Sequence, residues 1–111
     1  MTFSRWDVVA IDFPFLEGGD SKRRPALIVS SDRLRRDFGL YWVVMITTAK
    51  AGVRPDDIVI TDRERAGLPQ ECVIRVSRIA VVAQDHMTRR LGDITTKDRT
   101  AVVVLLRRYL P

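Results

Sequence analysis

One cysteine, one histidine and three lysines are all that this 111-residue chain holds of those residue types, and each scarcity closes off a class of protein. Cys72 alone cannot form an internal disulfide, which excludes a secreted, disulfide-stapled framework. Cys72 and His86 stand fourteen residues apart with no motif around them, far short of a zinc ligand set. A single histidine cannot supply a paired general acid and base, so His86 reads as structural. No run approaches the ~20 apolar residues that span a bilayer, and residues 1–6 lack the basic-then-apolar pattern of a signal peptide. The expected compartment is the cytoplasm, without membrane association. Asp56, Asp57 and Asp62 are the only clustered acids near a turn, and adjacent strand carboxylates point to opposite faces. A turn or helix cap explains them better than a magnesium site. Gly18-Gly19 is a turn and no nucleotide fingerprint occurs, so neither metal nor cofactor is expected.

What the chain does have is arginine, 16 residues of it, and a net charge of +5 with a pI near 10.1. The guanidinium fork matches phosphate oxygens bidentately, so a nucleic acid or an acidic protein is the partner this composition suggests. A genome that prefers arginine codons would give the same bias. The 46% hydrophobic content suits one globular domain over residues 1–111. A domain of this size buries only about two-thirds of its unfolded surface, which makes a homodimer the expected assembly.

Alternation and β-branched content predict strands over residues 6–12, 25–30, 40–47, 58–61 and 72–83, with a further pairing segment over 89–94. Between the first two, Pro14, Gly18, Gly19 and Asp20 mark a loop that runs basic through Lys22-Arg23-Arg24. Pro25 then opens a strand at its first position, where proline is tolerated. Ser31 caps a short helix over 32–38 that Gly39 ends. Thr95 or Thr96 caps the one long helix, 97–110, whose core stripe is Val102, Leu105, Leu106 and Tyr109. Its Asp98, Arg107 and Arg108 complement the dipole. The pattern is mainly β with two helices: a small, strongly bent antiparallel barrel of five to seven strands.

The order of segments is specific. Asp7-Val8-Val9, Asp12-Phe13-Pro14-Phe15 and Lys22-Arg23-Arg24-Pro25-Ala26-Leu27-Ile28-Val29-Ser30 resemble the opening signature of the MazF/PemK/Kid family, the toxins of bacterial toxin–antitoxin pairs. Ile46-Thr47-Thr48, Pro55-Asp56-Asp57-Ile58-Val59-Ile60, Gly67-Leu68, Val73-Ile74-Arg75-Val76-Ser77-Arg78-Ile79 and Arg90-Leu91-Gly92-Asp93-Ile94 continue it over nearly the whole chain. The resemblance implies an SH3-like barrel of the PemK/CcdB type, a homodimer, metal-independent cleavage of single-stranded mRNA, and neutralisation by a cognate antitoxin. It implies Arg24 and Thr47 as the catalytic pair, with Arg75 added by the Kid-type branch. That branch places an aspartate where this chain has Ser77, so Ser77 joins the candidate catalytic residues, but the resemblance leaves no carboxylate base there. After Thr47 the chain reads Thr48-Ala49-Lys50, where family members often carry Ser-Gln.

RNA that attacks its own phosphate through the 2′-hydroxyl needs alignment and relief of negative charge, which an arginine and a hydroxyl supply. Lys22, Arg23 and Arg78 are the expected backbone contacts, and Phe15 or Phe38 can stack a base. Two other readings fit the same barrel: a non-enzymatic toxin that binds a protein such as DNA gyrase, and an RNA-binding module without catalysis.

Overall fold

The structure, a computed structural model, describes residues 2–13 and 22–111, and the side chains of residues 13, 22 and 51 fall outside that description. Phe15, the predicted Pro14 to Asp20 loop and the Lys22 side chain therefore lie outside the described residues. Among the described residues six strands form: β1 (Asp7–Phe13), β2 (Lys22–Ile28), β3 (Leu40–Thr48), β4 (Asp57–Val59), β5 (Cys72–Ala83) and β6 (Met87–Asp93). Two helices accompany them, α1 (Asp32–Phe38) and α2 (Thr96–Tyr109), with single 3-10 turns at Ala49–Ala51 and Gln84–His86. The order across the sheet is β4-β5-β3-β2-β1-β6, antiparallel at every joint.

The two edges are drawn together by the segment that follows β4. Ile60 N–H donates to Cys72 O at 3.0 Å, and further along Asp93 N–H on β6 donates to Arg65 O at 3.2 Å. The closure is tight. A Cβ on Gly92 would stand 2.1 Å from Arg65 O, and one on Gly67 would stand 2.1 Å from Leu91 O. The result is the small, mainly β barrel that the strand pattern predicts.

Alternation sorts the apolar side chains into two cores. Val8, Leu27, Val44, Ile46 and Ile74 point to one side with Ile94 and Val102. Val9, Ile11, Ala26, Ile28 and Val43 point to the other with Phe3 and Tyr41. Strands β1 to β3 are thus apolar on both faces, as continuous runs require, and each fully buried Val, Leu or Ile contributes roughly 1.5–3 kcal/mol. Helix α2 covers the first core with Val102, while Leu105 and Leu106 pack beside it. Its cap is Thr95, whose hydroxyl oxygen accepts from Asp98 N–H, and the buried Asp98 in turn accepts from Thr61 N–H at 3.0 Å.

Four local expectations change. Lys22-Arg23-Arg24 is the start of β2, not a loop, because these residues pair with Phe13, Asp12 and Ile11 of β1. Pro25 is therefore inside the strand. Val29 N–H reaches Trp42 O on β3, so Leu27 and Pro25 face β3 too, but that ladder stops at Ala26 and asks nothing of the missing proline donor. Ser31 sits at the start of α1 without making a side-chain cap bond, whereas Gly39 closes it at φ 67°. Tyr109 leaves the core stripe: it is exposed, and its hydroxyl donates to Asp56, which also takes Arg108 Nη1 at 3.0 Å.

Candidate active site

The site grows out of strand register. Ala26 of β2 pairs with Met45 of β3, and two residues further along each strand stand Arg24 and Thr47. Antiparallel alternation sets those two side chains on one face, opposite each other, just past the end of the ladder. Met45 also pairs with Arg75 of β5, which adds a second arginine to the same face. Arg24, Met45, Ile46, Thr47, Arg75 and Arg78 line one cleft of about 330 Å³, with Ile79 and Ala80 completing it. A cleft of that size accommodates a nucleotide.

The bend that opens the cleft is a bulge. Val44 pairs with Ile79 while its neighbour Met45 pairs with Arg75, so residues 76–78 have no partners on β3. A bulge kinks its strand and re-aims the side chains it carries, and here it brings Arg78 into the cleft. Ser77 is exposed and is not among the lining residues.

The arginines differ in charge balance. Arg75 is buried and doubly held: Nε reaches Asp57 Oδ1 at 3.2 Å and Nη2 reaches Asp57 Oδ2 at 2.9 Å. Nη2 also donates to Gly52 O at 3.2 Å. Burial opposes the charge on Asp57, whose side chain is 2% exposed. The Arg75 guanidinium and the Arg54 N–H outweigh that penalty and hold the carboxyl below the usual carboxylate range. The same carboxylate raises Arg75 further. Arg24 and Arg78, by contrast, are exposed and have no acid partner among the described residues. Thr47 is partly exposed, and its hydroxyl bonds to none of the described side chains. The cleft thus offers two free guanidinium groups, one anchored guanidinium and one free hydroxyl, a set that attracts an anion.

The other candidates fall elsewhere. Arg23, the neighbour of Arg24 on β2, is not among the residues that line the cleft; it lines an adjoining groove that Arg24 also borders. Phe38 is exposed at the end of α1, beside Trp42 in another depression. His86 lies 4.0 Å from Asp85 on the strand connection, away from the cleft residues. Asp57 was missed as a site residue because the Asp56-Asp57 pair reads as a turn. Asp56 does occupy one, at φ 68°, but Asp57 begins β4 directly across from Arg75. An acid at a strand start in register with a buried arginine is a signal that needs the pairing to be seen.

No curated protein sequence matches the chain significantly. Among solved structures it is similar to MazE-MazF (Form-III) from Deinococcus radiodurans, with 17% identity and a TM-score of 0.78 over 99% of this chain and 97% of that one. It is similar to the Mycobacterium tuberculosis toxin MazF-mt6 at 18% identity and a TM-score of 0.72, over 92% and 93% of the two chains. A third likeness is to an endoribonuclease in complex with its cognate antitoxin from Mycobacterial species, at 20% identity and a TM-score of 0.73, over 96% and 91%. At such identities the likeness is one of fold. A family model described as PemK-like, MazF-like toxin of type II toxin-antitoxin system matches residues 4–110. This chain belongs to that family of toxins.

Proposed function

We propose that this toxin is an endoribonuclease that cleaves single-stranded RNA at the Arg24–Thr47 cleft without a metal ion. The observation that carries the reading is the convergence of Arg24, Thr47, Arg75 and Arg78 on one cleft from three different strands. The 2′-oxygen attacks the adjacent phosphorus, the bond to the 5′-oxygen breaks, and a cyclic phosphate and a 5′-hydroxyl result. The 2′ proton leaves to an acceptor and the 5′-oxygen gains one. Arg24 and the Thr47 hydroxyl donate to the phosphoryl oxygens as charge builds there, and one such donor is worth roughly 3–4 kcal/mol of barrier. Arg75, fixed by Asp57, adds a positive charge at a set position. Asp57 is a poor base, since both its oxygens are occupied and its carboxyl is held below the usual carboxylate range. With Ser77 outside the cleft, we assign the 2′ proton to solvent water.

The antitoxin partner is proposed as an acidic segment, complementary to the net charge of +5. Among the similar solved structures, one is an endoribonuclease in complex with its cognate antitoxin and another is MazE-MazF. A second copy of the chain is proposed to cover Trp42 and Val81, which pair across β3 and β5 and are 46% and 62% exposed. The domain is taken as the whole of residues 1–111.

The test is to incubate purified protein with a long single-stranded RNA in EDTA and to sequence the new 5′ ends. Cuts at a few sites, absent from the Arg24→Ala protein, support the reading. Equal cutting by the two proteins, or none by the first, overturns it.

A further inference from the structure

We infer that a second groove, lined by Arg23, Arg24 and Arg89, binds the nucleotide next to the scissile one in the same RNA strand; this rests on the nuclease reading above. The groove is built by register. Arg89 of β6 pairs with Ala10 of β1, and Ala10 pairs with Pro25 of β2, so the three side chains form a row across one face. The small Ala10 is the low point of that row. Leu68 and Leu91, brought together where the segment after β4 meets β6, wall a volume of about 230 Å³.

Its charges are unspent. Arg23 and Arg89 are exposed, and neither has an acid partner among the described residues. The contrast with the adjacent residue is sharp: Arg90 is tied to Asp7 at 3.0 Å and lies 3.6 Å from Asp93, while Arg89 is left open. Asp12 stands across from Arg23 in register but forms no ion pair with it, and its Oδ1 is buried without a hydrogen bond to any of the described residues. Guanidinium forks above a floor of proline and leucine suit a nucleotide, with its phosphate on the arginines and its base on the apolar floor.

Arg24 lines both this groove and the cleft, which decides the occupant. A strand whose scissile phosphate rests on Arg24 is already at the groove's mouth, and it need only continue to reach Arg23 and Arg89. A peptide would have no such fixed point of entry.

The test uses fluorescein-labelled 2′-O-methyl RNA of mixed sequence, whose blocked hydroxyl prevents cleavage, as a tetranucleotide and a decanucleotide. Fluorescence anisotropy should show that Arg89→Gln weakens the decanucleotide about tenfold, as loss of one charge-assisted contact implies. The tetranucleotide should weaken much less, and Arg89→Lys should recover part of the loss. Arg36→Gln, the same charge change on exposed α1, should weaken neither by that margin. Equal loss for both lengths, or no loss, overturns the groove as an RNA subsite. So does a result in which Arg89→Gln weakens only an acidic peptide. Because the probe cannot be cut, a protein that binds it in this way yet cleaves nothing would refute the nuclease reading and leave the subsite standing.

Discussion

Arg75 and Asp57 face each other across the β5–β4 ladder, and Arg75 donates two hydrogen bonds to the carboxylate, at 3.2 and 2.9 Å. Both side chains are nearly sealed from water, 10% and 2% exposed, so the pair is screened little by salt. Asp57→Asn should lower the melting temperature at neutral pH, because it leaves the guanidinium without its counter-charge. The folded carboxyl lies below the value of 3.8 that it would have unperturbed. Its stabilisation is therefore fully present above that value and lost as pH falls through the folded one. The gap between the two proteins should be constant from about pH 7 to 5 and close below about pH 4, in melts followed by circular dichroism. A gap that widens in acid would contradict the pairing.

Thr47 offers a direct test of hydroxyl against shape. Thr47→Val keeps the branched outline and β preference but removes the donor, and should lower cutting about 100-fold. Thr47→Ser keeps the donor and should stay within about tenfold of the parent. Initial rates on one oligonucleotide substrate compare the two, and equal loss in both variants would reduce Thr47 to a packing residue.

Arg78 stands in the cleft without an acid partner among the described residues, so its contribution to RNA binding should be mainly to phosphate. Affinity measured over a range of salt should fall on a log–log line, and Arg78→Gln should flatten its slope by about 0.7, the value for one phosphate on a single strand. An unchanged slope would remove Arg78 from the backbone contacts.

Gly92 is required for lack of room. The atoms that a Cβ would strike, Arg65 O at 2.1 Å and Ala66 C at 2.7 Å, belong to backbone and cannot swing aside. Gly92→Ala should destabilise the fold by about 1–3 kcal/mol, read as a lower urea midpoint with little change in slope.

Much of this architecture is legible in the residues. The run from Cys72 to Ala83, the helix stop at Gly39 and the Thr95 cap follow from local preference, and local preference decides them in the structure. The site is legible only by resemblance, since nothing in the sequence joins Arg24 to Thr47 across the intervening strand and helix. Register joins them, and register is a property of two strands at once. The same reason hides the bend in β5. Strict alternation places Arg75 and Ile79 on one face, but the three bulged residues between their pairings set them on opposite faces. Asp57 stayed hidden because its arginine lies eighteen residues away on another strand.

The lone thiol gives this molecule a built-in reporter. Cys72 is 3% exposed and in no disulfide, and burial pushes its thiol above the ordinary value, so a labelling reagent meets it only when the chain locally opens. It pairs with Thr48 at the last rung of the β3–β5 ladder, one rung from Thr47. The rate of its modification in native buffer therefore clocks fraying at that rung, and an occupant of the cleft that pins Thr47 will slow the clock without touching the sulfur.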